Sequence, residues 1–195
     1  MKKLLGILVF VVMVMQASNL RAQTDRKFNL GLQAGLGVSG MISDENYDAD
    51  FSANPGLRFA YISSNDGGLM VILDLGYWLV NYDTADYYSE YETEYFNINL
   101  MAGISSGLFY AAGGIYIAAI TGATLWTDTN TFDLTDSQNS DVGLNVEFGI
   151  KPQWENLTFF LGGIVKVGFA NISDGGVERR NWAFLLSVGI TYAFM

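Results

Sequence analysis

The sequence predicts an all-β protein, an eight-stranded antiparallel up-and-down transmembrane β-barrel. Three observations carry this prediction. Apolar side chains recur with a period of two in eight separate segments, the pattern of a strand with one greasy face. Within those segments the large apolar residues share one face, while Gly, Asn, Gln, Ser and isolated charges share the other. The connections alternate between long polar stretches and tight turns, and no helical segment follows the N-terminal leader. Composition agrees: half of the 195 residues are hydrophobic and only 15% are charged, against roughly 25% in soluble domains.

The first segment, "KFNLGLQAGLGVSG" (27–40), puts Phe28, Leu30, Leu32, Ala34, Leu36 and Val38 opposite Asn29, Gly31, Gln33, Gly35, Gly37 and Ser39. The second, 53–62, sets Leu57, Phe59 and Tyr61 against Gly56, Arg58 and Ala60. In the third, 69–80, Leu69, Val71, Leu73, Leu75, Tyr77 and Leu79 oppose Met70, Ile72, Asp74, Gly76 and Trp78. The fourth, 94–104, alternates Phe96, Ile98, Leu100, Ala102 and Ile104 with Tyr95, Asn97, Asn99, Met101 and Gly103. The fifth, 108–123, is apolar on both parities, so its faces stay unassigned. The sixth, 141–151, places Val142, Leu144, Val146, Phe148 and Ile150 against Gly143, Asn145, Glu147 and Gly149. The seventh, 157–170, places Leu157, Phe159, Leu161, Val165, Val167 and Phe169 against Thr158, Gly162, Lys166 and Gly168. The last, "NWAFLLSVGITYAFM" (181–195), carries Trp182, Phe184, Leu186, Val188, Ile190, Tyr192 and Phe194 on one face.

The spacers are 41–52, 63–68, 81–93, 105–107, 124–140, 152–156 and 171–180, long and short in turn. In a meander, odd and even connections lie at opposite ends, so one end carries polar loops and the other tight turns, as in outer-membrane barrels. A soluble barrel such as a lipocalin also has eight strands, but it buries its large apolar residues inside. Eight strands enclose an interior only just wide enough for side chains, so the uniformly large apolar face is expected to meet lipid.

The N-terminal "MKKLLGILVFVVMVMQASNLRAQ" reads as a secretory signal peptide, residues 1–22, leaving a barrel domain at 23–195. Lys2 and Lys3 form its charged region and Leu4 to Met15 its apolar run, which is too short to span a bilayer as a helix. Its removal takes Lys2, Lys3 and Arg21 and no acid, so the remainder is more acidic than the −10 of the whole chain. Nucleic acid, which demands a basic footprint, is therefore not an expected partner. The chain has no Cys and no His, which removes disulfides, thiolate metal sites and the commonest general base. No enzymatic activity and no cofactor are expected.

Two groups of residues are candidates for function. Arg58, Asp74, Glu147 and Lys166 lie mid-strand on the predicted inner face, two of each sign. Unpaired charges in a narrow lumen are expensive, so pairing among them is expected, either as a gate or as a seal that fixes the strands. The long-loop end holds Asp44, Glu45, Asp48, Asp50, Asp83, Asp86, Glu90, Glu92, Asp128, Asp133, Asp136, Asp174 and Glu178, with Tyr82, Tyr87, Tyr88, Tyr91 and Tyr95 in and beside its second loop. Such a surface suits divalent cations or a basic partner, or serves simply as a solvated exterior. Trp182 is expected near the outer membrane interface, and Tyr192 and Phe194 near the periplasmic one, where aromatic girdles sit.

The stretch "EYFNINLMAGISSGLFYAAGGIYIAAITGA" (94–123), a strand, a very short turn and a Gly-rich apolar strand, resembles the central hairpin of the PorT-like outer-membrane β-barrel family. The first strand's "GLQAGLGVSG" and the aromatic-ended last strand are similar to that family as well. The resemblance implies a small integral outer-membrane protein of a Gram-negative envelope, inserted by the barrel-assembly machinery through its last strand. Here Phe194 is followed by Met195, a departure from a terminal aromatic residue. The expected function is thus a structural or surface-interaction role in outer-membrane lipid as a monomer. The alternatives are a narrow passive channel for water or small ions and a soluble periplasmic lipid-binding barrel.

Overall fold

The computed structural model describes residues 27–43, 47–63, 68–84, 89–127, 129–172 and 178–194. The leader 1–22, Asp44, Glu45, Asp86, Tyr87, Tyr88, Asp128, Asp174 and Met195 lie outside the described residues. Among the described residues ten strands follow in chain order: β1 (Lys27–Ile42), β2 (Tyr47–Ile62), β3 (Gly68–Thr84), β4 (Ser89–Ser106), β5 (Phe109–Thr127), β6 (Thr131–Asp133), β7 (Asp141–Ile150), β8 (Gln153–Trp154), β9 (Leu157–Gly168) and β10 (Arg180–Phe194). Two are short additions, β6 on β5 and β8 on β9. The remaining eight form an antiparallel up-and-down ring, closed where β10 pairs with β1 from Phe28↔Phe194 to Ile42↔Arg180.

The ring's stagger can be followed through registered pairs alone. From Phe28 the ladder passes to Tyr61, Val71, Ala102, Gly113, Val146, Val165 and Phe184, and returns to β1 at Val38. One circuit therefore climbs ten residues along β1, and a stagger of that size tilts the strands by roughly 40°. Every residue on the circuit faces outward and is apolar or glycine. The outward rows above and below it are also apolar, with Leu32, Leu100, Ile115, Leu144 and Leu186 all exposed. This belt is the lipid-facing surface of a transmembrane barrel.

Two features depart from the expected pattern. The connections placed at 41–52 and 81–93 are mostly strand, because β2, β3 and β4 run on past the belt as a hydrogen-bonded ladder. Above the belt the alternation inverts. Tyr47, Tyr82 and Tyr91 pack together on the inner face, with Tyr82 and Tyr91 stacked at 5.0 Å, while Asp48, Asp83 and Glu90 point outward. Water rather than lipid surrounds the wall there, so polar side chains take the outside. Register shifts at Ala49/Ser52 and at Glu94/Tyr95 mark the changeover. Polar, tyrosine-rich stretches of this kind read as loops when only an apolar face is sought.

The second departure is the lumen, which holds many large side chains. A lower cluster comprises Ile62, Met70, Ile72, Met101, Tyr110 and Phe160, and an upper one is built around Trp78, Tyr82, Tyr95, Tyr116, Ile164 and Leu185. Glycines on the strands beside β5 make the room. A Cβ on Gly143 would lie 2.7 Å from the Tyr116 ring, and one on Gly162 would lie 3.0 Å from the Tyr110 hydroxyl. The faces of β5 are thereby settled: Tyr110, Ala112, Tyr116 and Ala118 point inward, and Phe109, Ile115 and Ile117 outward.

Candidate functional site

Three of the four predicted lumen charges meet at mid-barrel. Arg58 on β2 and Asp74 on β3 are directly paired across the ladder, and Glu147 reaches them from β7 across the lumen. Arg58 Nε and Nη2 donate to the two carboxylate oxygens of Asp74, both at 2.8 Å. Its Nη1 and Nη2 donate to Glu147 Oε1 and Oε2 at 2.9 and 2.6 Å. Glu147 Oε1 also accepts from the Tyr110 hydroxyl at 2.6 Å and from Ser187 Oγ at 3.3 Å. The guanidinium lies 5.0 Å from the Phe160 ring. All three charged residues are buried. One planar cation thus holds two carboxylates in fork geometry, the arrangement that best offsets desolvation.

Lys166 stands apart from this cluster. Its Nζ donates to Asn97 Oδ1 at 3.2 Å and sits 4.4 Å from the Trp78 ring and 5.3 Å from the Tyr116 ring. Two buried charged residues escaped the sequence reading. Asp141 accepts from the Tyr116 hydroxyl at 2.7 Å and from Asn181 Nδ2 at 3.1 Å, and Lys151 is buried just past the other end of β7. Both share the parity of Gly143, Asn145 and Glu147, and that parity is the signal that places them inside.

Of the interface aromatics, Trp182 lies near the outer end of β10, and its ring covers Gly40, where a Cβ would come within 2.8 Å of Nε1. Tyr192 and Phe194 lie at the opposite end, opposite Leu30 and Phe28 of β1. The Tyr192 hydroxyl accepts from Asn156 Nδ2 at 3.4 Å. Sequence reasoning passed over Trp154, which is 69% exposed in the tight β8–β9 hairpin beside Leu157.

The acidic rim is partly strand and partly loop. Asp48, Asp83 and Glu90 are directly opposite one another on three adjacent strands, and like charges so placed repel. Desolvation, then Asp50 and Asp48, push the Asp83 carboxyl above its usual range; desolvation, then Asp50, Asp83 and Glu92, do the same to Glu90. Asp133 is held below its usual range by the backbone N–H and then the hydroxyl of Thr135. Arg180 pairs with Glu178, and Arg179 lies 5.5 Å from the Tyr47 ring. Among the described residues no group of three or more acidic side chains could hold a metal ion.

The raised carboxyls set a sign for pH dependence. A carboxyl whose folded pKa exceeds its unfolded value disfavours the folded state when ionised, and the penalty disappears as pH falls through that raised value. Acidification from neutral through the carboxylate range should therefore tighten the rim. Amide hydrogen exchange over 81–84 and 89–92, corrected for the intrinsic rate, is expected to slow on acidification, and Glu90→Gln to slow it already at neutral pH. Faster exchange on acidification would contradict the electrostatic account.

No protein-family model matches the chain, and no curated protein does. Among solved structures, Neisserial surface protein A is similar, with a TM-score of 0.53 at 14% identity, covering 86% of this chain and 97% of that one. Ail of Yersinia pestis gives 0.47 at 13% identity over 85% and 98%. OprG of Pseudomonas aeruginosa gives 0.45 at 14% identity over 88% and 96%. The likeness to the Neisserial protein is one of fold, the eight-stranded antiparallel barrel described above.

Proposed function

We propose that this chain is a monomeric, non-enzymatic outer-membrane barrel of a Gram-negative envelope that anchors in lipid and presents an acidic rim outside. The observation that carries this reading is the filled interior. Arg58, Trp78, Tyr116, Phe160 and Lys166, from several levels of the lumen, are all fully buried, which favours an anchor over a conduit. The exposed apolar belt supports the membrane setting and speaks against a soluble lipid-binding barrel. The proposed history is export through the 1–22 signal and insertion by the barrel-assembly machinery acting on β10. Kinship with the PorT-like family rests on the 94–123 hairpin. Lumen carboxylates tied to Arg58, in a chain with neither His nor Cys, support the absence of catalysis. The rim acids run in a row across strands rather than around a point, which suits an extended basic partner better than a single ion.

Planar-bilayer recording tests the reading. Purified protein is expected to give no stepwise conductance, and Lys166→Ala to stay silent as well. Reproducible steps in the wild type would favour the passive channel. Extraction by detergent alone and heat-modifiable migration are expected alongside; solubility without detergent would refute the membrane setting.

A further inference from the structure

We propose that the lumen layer around Lys166 encloses a cluster of bound water. The argument starts from which amide atoms already have partners. Lys166 can only donate, so its hydrogen bond to Asn97 Oδ1 fixes that amide and leaves Asn97 Nδ2 as an unpartnered donor. Pro55 brings no N–H to the β2–β3 ladder, and Asn54 Nδ2 donates to the Tyr77 carbonyl at 2.7 Å beside it, leaving Asn54 Oδ1 unpartnered. Gln33 Nε2 donates to the Asn54 carbonyl at 3.1 Å and leaves Gln33 Oε1 unpartnered. Carbonyl oxygens only accept, so no amide flip repairs Gln33 or Asn54. Asn145 Nδ2 donates to Asn99 Oδ1 at 3.3 Å, and Asn145 Oδ1 is unpartnered too. All four residues are buried.

Each such orphan loses its hydrogen bonds to water without gaining one in the fold, and folded proteins seldom leave buried polar groups unpaired. The chemistry selects the ligand. Asn97 Nδ2 and the Lys166 ammonium are donors, whereas Gln33, Asn54 and Asn145 offer acceptors. An anion would leave the acceptors unmet and a metal cation the donors; water serves both. The wall provides room, because the registered row Gln33–Gly56–Gly76–Asn97 carries no side chain between its two amides. Trp78 and Tyr116 cover the layer on one side and the Arg58 cluster with Phe160 on the other, so this water is enclosed and does not flow.

The test is magnetisation transfer from water to side-chain N–H groups in the isotope-labelled, full-length barrel in lipid nanodiscs. Cross-peaks with the sign of long-lived water are expected at the Asn97, Asn145 and Gln33 amides. Liposomes bearing the protein should swell no faster under osmotic shock than empty ones. In Asn97→Leu, which stays heat-modifiable, the Asn145 cross-peak should weaken severalfold. Absence of all three cross-peaks in the folded wild type overturns the proposal. Accelerated swelling also overturns it, because the water would then belong to an open path.

Discussion

Replacing Arg58 with methionine is expected to cost about 3–5 kcal/mol of folding stability, the typical effect of removing one partner from a buried ionic cluster. The loss is large because the substitution leaves two carboxylates facing each other. Asp74 and Glu147 each take two hydrogen bonds from the same guanidinium. With Arg58 gone, Asp74 loses its ion pair and Glu147 keeps only Tyr110 and Ser187. Arg58→Lys should recover only part of the loss, because a point ammonium cannot fork to two carboxylates. The triple variant Arg58→Met, Asp74→Asn, Glu147→Gln should recover most of it, since no charge remains to desolvate. Reversible urea unfolding in phospholipid bilayers, read by tryptophan fluorescence, gives the numbers. Equal stability of Arg58→Met and wild type would remove the cluster from any structural role.

Leu186→Arg should destabilise the barrel by about 2–4 kcal/mol, the range for arginine at the midplane of a lipid-facing barrel wall. Leu186 is 65% exposed, sits midway along β10 and is registered with Leu36 on one side and Gly163 on the other. Its neighbour Ser187 faces the lumen, where its hydroxyl donates to Glu147, so Ser187→Ala should cost only about 1 kcal/mol. The contrast between adjacent residues checks the sidedness of the wall. The same unfolding assay measures it, and an arginine tolerated without loss at 186 would place that face in water.

The strand count, the order of pairing and the sidedness of most strands were legible in the sequence because lipid imposes a strict rule on one parity. Leu69 to Leu79 and Trp182 to Phe194 show it plainly. On β5 the rule went silent: Ala111, Gly113 and Ala119 face outward while Tyr110 and Tyr116 face inward, so both parities look apolar. Above the belt the rule reverses, and Tyr82 with Asp83 or Tyr91 with Glu90 follows the logic of a water-soluble sheet. The four lumen charges could be picked out by parity, but their partners depend on stagger. Arg58 meets Glu147 across 89 positions of sequence, and that meeting follows from the ten-residue climb around the ring. Asp141 and Lys151 went unnoticed at the ends of their segment, where turn and strand look alike.

The reversal above the belt also gives the barrel a waterline. Sliding a strand by two residues against its neighbour keeps every side chain on its own face, so sidedness alone does not determine depth of immersion. Such a slide of β4 in the membrane-ward direction would draw Glu94 to the level of Phe96 and into hydrocarbon, and the opposite slide would lift Phe96 into water. The two register shifts, at Ala49/Ser52 and Glu94/Tyr95, sit at this level, pinning the wall's draught as well as its pairing.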